Sequence, residues 1–317
     1  MLHPFKTFIR FGIWAIVLGT VGGGAIIALF IADLPDPTRI AERPIAESTK
    51  IFDRTGTVVL YEIHGEEKRT VIPFANVPDF VKRATIAAED ANFYSHKGID
   101  LRGIFRALYV DLRTQNISQG GSTITQQLVK NTIVGKERTF ARKIKEAILA
   151  ILLEARISKD EILSLYLNQI PYGSNAYGIE AAAETFFSKS ANQLTLAESA
   201  LLASLPKAPS YYSPYGAHTD ELLRRKQSIL ERMNKLGFID EEEYATAQKE
   251  IHVFSNPKQN ILAPHFVMYV REYLARTYDE STIENGGLQI ISTLDWELQK
   301  KAEEIIHTVA EENERRL

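Results

Sequence analysis

The chain contains no cysteine, which excludes disulfides, thiolate metal sites and a cysteine nucleophile and leaves the redox compartment open. It also lacks a strong charge of either sign. A net charge of −3 argues against non-specific nucleic-acid binding as its main business. No GxxxxGK[ST] element occurs, so a nucleotide P-loop is unsupported. No period of 20–50 residues repeats, which excludes a solenoid. What remains is a chain of 317 residues, 45% hydrophobic and 24% charged, with room for one large domain or two modest ones.

Residues 11–32, FGIWAIVLGTVGGGAIIALFIA, carry no charge and are long enough to cross the hydrocarbon core as a helix. Lys6 and Arg10 precede the run and Asp33 and Asp36 follow it. This predicts a cytoplasmic tail (1–10), an uncleaved single-pass anchor (11–32) and everything beyond it outside. The run is longer than the apolar part of a cleaved signal peptide, and no small-x-small site follows it. Residues 33–50, with Pro35, Pro37 and Pro44, read as an extended connector.

IFDRTGTVVLYEI predicts a small β-hairpin around Arg54-Thr55-Gly56. From Pro78 to about residue 250 the pattern is helical. Thr123 with Gln126, Ser158 with Glu161, Thr195 with Glu198, and Asp240 with Glu243 have capping-box spacing. Pro206 and Pro209 end one helix and Gly237 another. Phe140, Ile144, Ile148, Ile151 and Ala155 are expected to form one apolar stripe. The fold class expected is mainly α. Beyond residue 250 come a loop, a helix over 265–279, a strand in GGLQIISTLD and a charged amphipathic helix to the end, which reads as the start of a linker toward a further domain.

Three places could carry chemistry. Glu89 and Asp90 close an apolar helical run, where burial would lift a carboxylate toward the range useful for proton transfer. Taken alone, a Glu-Asp pair is more often a surface pair at a helix end. His96, taken alone, is more often a hydrogen-bonded structural residue. Gly120-Gly121-Ser122-Thr123 opens a helix. Glycines that allow positive φ, two hydroxyls and free N–H groups suit a diphosphate, though an ordinary turn and cap would use the same residues. Arg142 and Glu146 in Arg142-Lys143-Ile144-Lys145-Glu146 share a helix face, so two cations could clamp a leaving diphosphate beside a second acid; the bland alternative is a solvated charged face.

Five motifs occur in one order: Glu89-Asp90-x-x-Phe93-x-x-His96-x-Gly98, GGSTITQQLVKN, RKIKE, KDEILSLYLNQIPYG and RRKQSILERM. Together they resemble the peptidoglycan glycosyltransferase module of class A, bifunctional penicillin-binding proteins, over about residues 51–250. The resemblance implies a lysozyme-like helical fold in a bacterial inner-membrane protein. It implies lipid II and the growing glycan chain as partners, beside membrane lipid and other cell-wall synthesis proteins. Polymerisation would give β-1,4 glycan strands and release undecaprenyl diphosphate. By motif, Glu89 would be the general base and Glu146 the second acid. Lys130, Arg142 and Lys143 would hold the donor diphosphate. Asp90, Phe93, His96, Gly121, Ser122, Thr123, Gln126, Gln127, Asn131, Asn168 and Arg225 match positions that line the cleft. No tightly bound cofactor is implied, although Mg2+ or Mn2+ near Glu146 is compatible with the pattern.

The same resemblance makes 251–317 the approach to a transpeptidase domain, which would need SxxK, SxN and KTG elements. No Lys-Thr-Gly occurs, and Ser204-Leu205-Pro206-Lys207 fits SxxK only by spelling, inside the glycosyltransferase module. Two other readings compete: a peptidoglycan-cleaving hydrolase on the same fold, and a non-catalytic membrane scaffold. A hydrolase has no use for a diphosphate cradle, and a scaffold needs neither acids nor cations.

Overall fold

A computed structural model describes residues 34–38, 40, 44–104, 121–134, 139–255 and 261–316. The expected anchor at 11–32 lies outside them; no helix among the described residues is long and apolar enough to cross a membrane. The strands are β1 (Thr49–Phe52), β2 (Val59–Ile63), β3 (Lys68–Arg69), β4 (Pro171–Gly173), β5 (Ala176–Tyr177) and β6 (Gln289–Ile291). The helices are α1 (Asp79–Glu89), α2 (Ile124–Val129), α3 (Phe140–Glu154), α4 (Lys159–Gln169), α5 (Ile179–Phe187), α6 (Leu196–Leu202), α7 (Thr219–Lys235), α8 (Glu241–Lys249), α9 (Pro264–Ala275), α10 (Glu280–Asn285) and α11 (Trp296–Arg316). The protein is mainly helical, with two small sheets. Two compact units emerge, one from residues up to 42 with 96–157, the other from 43–95 with 158–317.

In the first unit, Thr123 caps α2. Its hydroxyl accepts from the Gln126 N–H, and the Gln126 side chain accepts from the Thr123 N–H. The Thr123 hydroxyl also donates to the Gly98 carbonyl at 2.7 Å. Gly98 has φ +86°, and a Cβ there would lie 2.7 Å from the backbone of Ala150 and Ile151, so only glycine lets this segment lie against α3. Helix α2 runs into a π-helical turn at Lys130–Val134. Helix α3 starts at Thr139, whose hydroxyl accepts from the Arg142 N–H.

The expected stripe on α3 is not the buried one. Ile144 and Ile151 are exposed, at 40% and 45%, as is Ala155, and Ile148 is half-buried; the side chain of Phe140 lies outside the described residues. The face that packs inward carries Glu146, Leu149, Ala150 and Leu153. Both rows have helical spacing. Apolarity favoured the wrong one, because Glu146 is buried together with its own counter-charges and costs far less than a lone carboxylate would.

In the second unit the expected hairpin forms, with β1 antiparallel to β2, and gains a parallel neighbour in β6. Ile51, Leu60 and Ile63 from this sheet bury against Val267, Leu274 and Ile283 of α9 and α10. A second sheet, ordered β3-β5-β4, was not anticipated. The other core joins α1, α6, α7 and α8 through Ala84, Ala87, Ala197, Ala200, Leu230, Met233 and Ala247. Five alanines among these seven let the helices approach closely. The capping boxes at Ser158, Thr195 and Asp240 form as expected, and Gly237 takes φ +70° just past α7.

Candidate active site

The first unit gathers the cationic residues. Glu146 is 1% exposed and faces the inner side of α3. Lys143 reaches it at 3.0 Å from Oε2, and Arg142 Nε lies 3.1 Å from Oε1. Lys143 also donates to the Ser122 hydroxyl at 2.7 Å. One lysine thus joins the turn before α2 to the acid on α3. Arg142 Nε and Glu146 Oε1 are close as charges, yet neither atom has a hydrogen bond of good geometry among the described residues. Their attraction is Coulombic, and the guanidinium is not locked by that contact. Lys143 keeps 45% of its side chain accessible while paired.

The turn before α2 differs from expectation in one respect. Gly121 does not adopt a positive φ, and a Cβ there would meet only ordinary contacts with Ile104 at 3.5–3.6 Å. Gly120 lies outside the described residues. Thr123 sets the chain direction through its extended conformation and cap, so Gly121 need not be left-handed. Thr123 and Gln126 are buried and spend their side chains on the capping box. Gln127 and Lys130 are half-buried, and Asn131 is exposed. His96 lies 3.9 Å from Glu154, which also accepts from the Thr125 hydroxyl on α2.

The second unit holds Glu89, the last residue of α1, with its side chain 11% exposed. Arg225 on α7 donates to Glu89 Oε1 at 3.2 Å. Its Nε donates to the Ser204 carbonyl at 3.0 Å, and its guanidinium lies 5.6 Å from the Tyr212 ring centre. Tyr166 and Tyr172 are fully buried nearby. Burial, and then the negative charge of Glu89, push both phenols up, so they remain neutral proton donors. Asp90 is buried at the end of α1, where its carbonyl accepts from the Phe93 N–H. Phe93 is buried, with the Lys159 ammonium 4.4 Å from its ring centre. Asn168 serves the backbone: its amide accepts from Ile72 N–H and donates to the carbonyls of Ile72 and Ser164.

Tyr166, Tyr172, Tyr212 and Ser204 did not stand out in the sequence as partners of the acid. The two buried tyrosines fall within the KDEILSLYLNQIPYG motif, which was the available signal. Ser204 is fully buried and its hydroxyl donates to the Ala200 carbonyl, which fits the reading of its SxxK as coincidental.

The transglycosylase family model matches residues 56–234. Penicillin-binding protein 1A of Aquifex aeolicus (strain VF5) is 40% identical over 298 residues, covering 91% of this chain and 40% of that protein. The Escherichia coli (strain K12) protein of that name is 37% identical over 306 residues, covering 95% and 35%. The Pseudomonas aeruginosa one is 41% identical over 262 residues, covering 81% and 31%. The crystal structure of penicillin-binding protein 1A from Haemophilus influenzae aligns with a TM-score of 0.44 at 27% identity, covering 77% of this chain and 26% of that one. The chain thus spans 31–40% of the length of these three curated relatives. With the family model covering more than half of it, the chain belongs to the transglycosylase family, the peptidoglycan glycosyltransferases of penicillin-binding proteins.

Proposed function

We propose that the chain polymerises lipid II into β-1,4 glycan strands and releases undecaprenyl diphosphate, on a lysozyme-like fold held at the membrane by residues 11–32. The observation that carries this reading is the pair of cations, Arg142 and Lys143, on buried Glu146, with Lys143 also bonded to the Ser122 hydroxyl. Such a cluster suits a diphosphate and serves no purpose in hydrolysing a finished glycan. Glu89 acts as base. It takes the proton of the acceptor's 4-hydroxyl as that oxygen bonds to the donor's anomeric carbon. The bond to the diphosphate breaks, and its electron pair leaves with the phosphate oxygen. Arg225 holds Glu89 in place, while Lys130, Arg142 and Lys143 balance the charge on the leaving group.

A divalent ion does not fit the donor set around Glu146: its two oxygens face Arg142 and Lys143, and no group of three His, Asp or Glu suited to a metal occurs among the described residues. The test is incubation of the detergent-solubilised chain with lipid II and, separately, with finished glycan. Growth of strands from lipid II supports the reading. Cleavage of glycan without polymerisation overturns it in favour of a hydrolase.

A further inference from the structure

Helix α3 carries a second buried acid. Glu146 is matched by cations of its own helix. Glu154, near the other end of α3, has a side chain only 4% exposed and turns to other segments. It accepts from the Thr125 hydroxyl on α2 and lies 3.9 Å from His96 Nδ1, on a side chain itself 8% exposed. An apolar side chain would fill that place at far less desolvation cost. What it could not do is hold two other segments at once.

Three hydroxyls of the short stretch 122–125 go to three different anchors. Ser122 receives the Lys143 ammonium of α3 at 2.7 Å. Thr123 donates to the Gly98 carbonyl at 2.7 Å. Thr125 donates to Glu154. Thr132, further along, shows the local alternative: its hydroxyl donates to the Leu128 carbonyl at 2.8 Å. Glu154 stands behind two of the three anchors. It holds Thr125 directly. Through the His96 contact it also holds the segment whose Gly98 carbonyl receives Thr123. That segment has little room to shift, because Gly98 lies against the backbone of Ala150 and Ile151. The third anchor, Ser122 on Lys143, depends on where the other two set the stretch.

We propose that Glu154 is a positioning residue for the donor diphosphate: it fixes residues 122–125 against α3 so that the Ser122 hydroxyl meets the Lys143 ammonium. It acts through that stretch and not on the substrate. The inference rests on the lipid II-polymerising reading above, in which Lys143 balances the charge of the leaving group. Lys143 has a long, flexible side chain, 45% accessible, whose ammonium could point in many directions. Its bonds to Glu146 and Ser122 select one. A cation already held in one place meets a diphosphate with less ordering cost than a mobile one. Glu146 gives one of those bonds from the same helix. Glu154 secures the other from a distance, by seating the residues that carry Ser122.

The test follows binding of farnesyl diphosphate, a short lipid diphosphate, beside lipid II polymerisation, with urea unfolding to check the fold. Glu154→Ala removes both contacts, whereas Thr125→Val removes only the hydroxyl donor at nearly constant shape. Glu154→Ala should weaken farnesyl diphosphate binding and raise KM for lipid II by ~3–10-fold, with a smaller change in kcat, and Thr125→Val should do the same by ~2–3-fold. Added to Ser122→Ala, Glu154→Ala should have little further effect, because the hydroxyl it positions is gone. A residue that only supports the fold would lower urea stability and leave this coupling absent. If wild type binds the probe and both variants bind it as tightly, or if Glu154→Ala keeps its full effect without the Ser122 hydroxyl, the proposal is wrong. If the variants weaken binding and wild type does not polymerise lipid II, the positioning role stands and the polymerase reading falls. If wild type polymerises without binding the probe, KM for lipid II decides by the same comparisons; if it does neither, both fall. Should Glu154→Ala fold poorly, Thr125→Val, alone and with Ser122→Ala, decides by the same criteria.

Discussion

Glu89 and Glu146 are acids of two different motifs, Glu146 buried and Glu89 half-buried, and they keep different company. Glu146 sits inside a helix face, with a cation near each oxygen, and one of those cations continues to Ser122. Glu89 sits at a helix end, held by a guanidinium that is itself fixed by a carbonyl and a ring, beside two phenols that stay protonated. The first arrangement keeps cations in place. The second orients a carboxylate without surrounding it by positive charge from its own helix. Under the proposed mechanism the difference divides the work: the acid in the first unit organises charge, and the acid in the second moves a proton.

The sharpest way to break that division is to remove each carboxyl charge while keeping its shape. Glu89→Gln should fold and still bind lipid II, yet lose polymerisation by at least about two orders of magnitude, since a general base is typically worth ~10²–10⁴-fold. Near wild-type turnover would end its assignment as the base.

Glu146→Gln should show itself first as instability. It leaves two cations beside a neutral amide. Removing one partner of a fully buried pair costs ~3–5 kcal/mol, and the exposure of Lys143 reduces this to about 1–3 kcal/mol. Urea unfolding with an unchanged slope reads it directly. Unchanged stability together with a loss of turnover as large as that of Glu89→Gln would reverse the two roles.

Lys143→Ala tests whether the cluster serves the ground state. A charge felt by donor and transition state alike should raise KM for lipid II by about tenfold, roughly 1.4 kcal/mol, with a smaller effect on kcat. A pure kcat effect would place Lys143 in the transition state alone.

The smallest expected effect lies away from both acids. His252 accepts from the buried Lys226 ammonium at 3.2 Å, beside Phe187 and Phe254. Burial first, then the positive charges of Lys226 and Lys189, lower its pKa below the ordinary 6.5, while Glu250 and Glu198 pull the other way. The unfolded chain therefore binds a proton that the folded chain refuses. Stability should fall as pH drops through about 6.5 toward the lower folded value, and the fall should shrink in His252→Gln. Melting temperatures between pH 7.5 and 5.5 would show it; identical slopes in both proteins would dismiss it.

Much of this was legible beforehand where a residue acts on its immediate neighbours. The four capping boxes were readable because hydroxyl and carboxamide or carboxylate meet across one helical turn. The ion pairs of Glu146 were readable because Arg142 and Lys143 lie one turn away. What depended on distant segments was not. The wrong face of α3 was chosen because a buried acid looks polar until its partners are counted. The second sheet pairs residues 68–69 with 176–177, and each strand is too short to show an alternating pattern. Ser204 was visible only as part of a coincidental motif, whereas its carbonyl is what matters to Arg225.

The parallel pairing of β1 with β6 has a consequence in time. Leu288 N–H donates to the Thr49 hydroxyl across 239 residues of sequence. A ribosome adding ~5–20 residues per second needs roughly 10–50 s to make that span. Throughout that interval one edge of β1 lacks its partner, so β1 must wait for β6 before its sheet is whole. Whatever attends the nascent protein must shield an open strand edge for that whole interval.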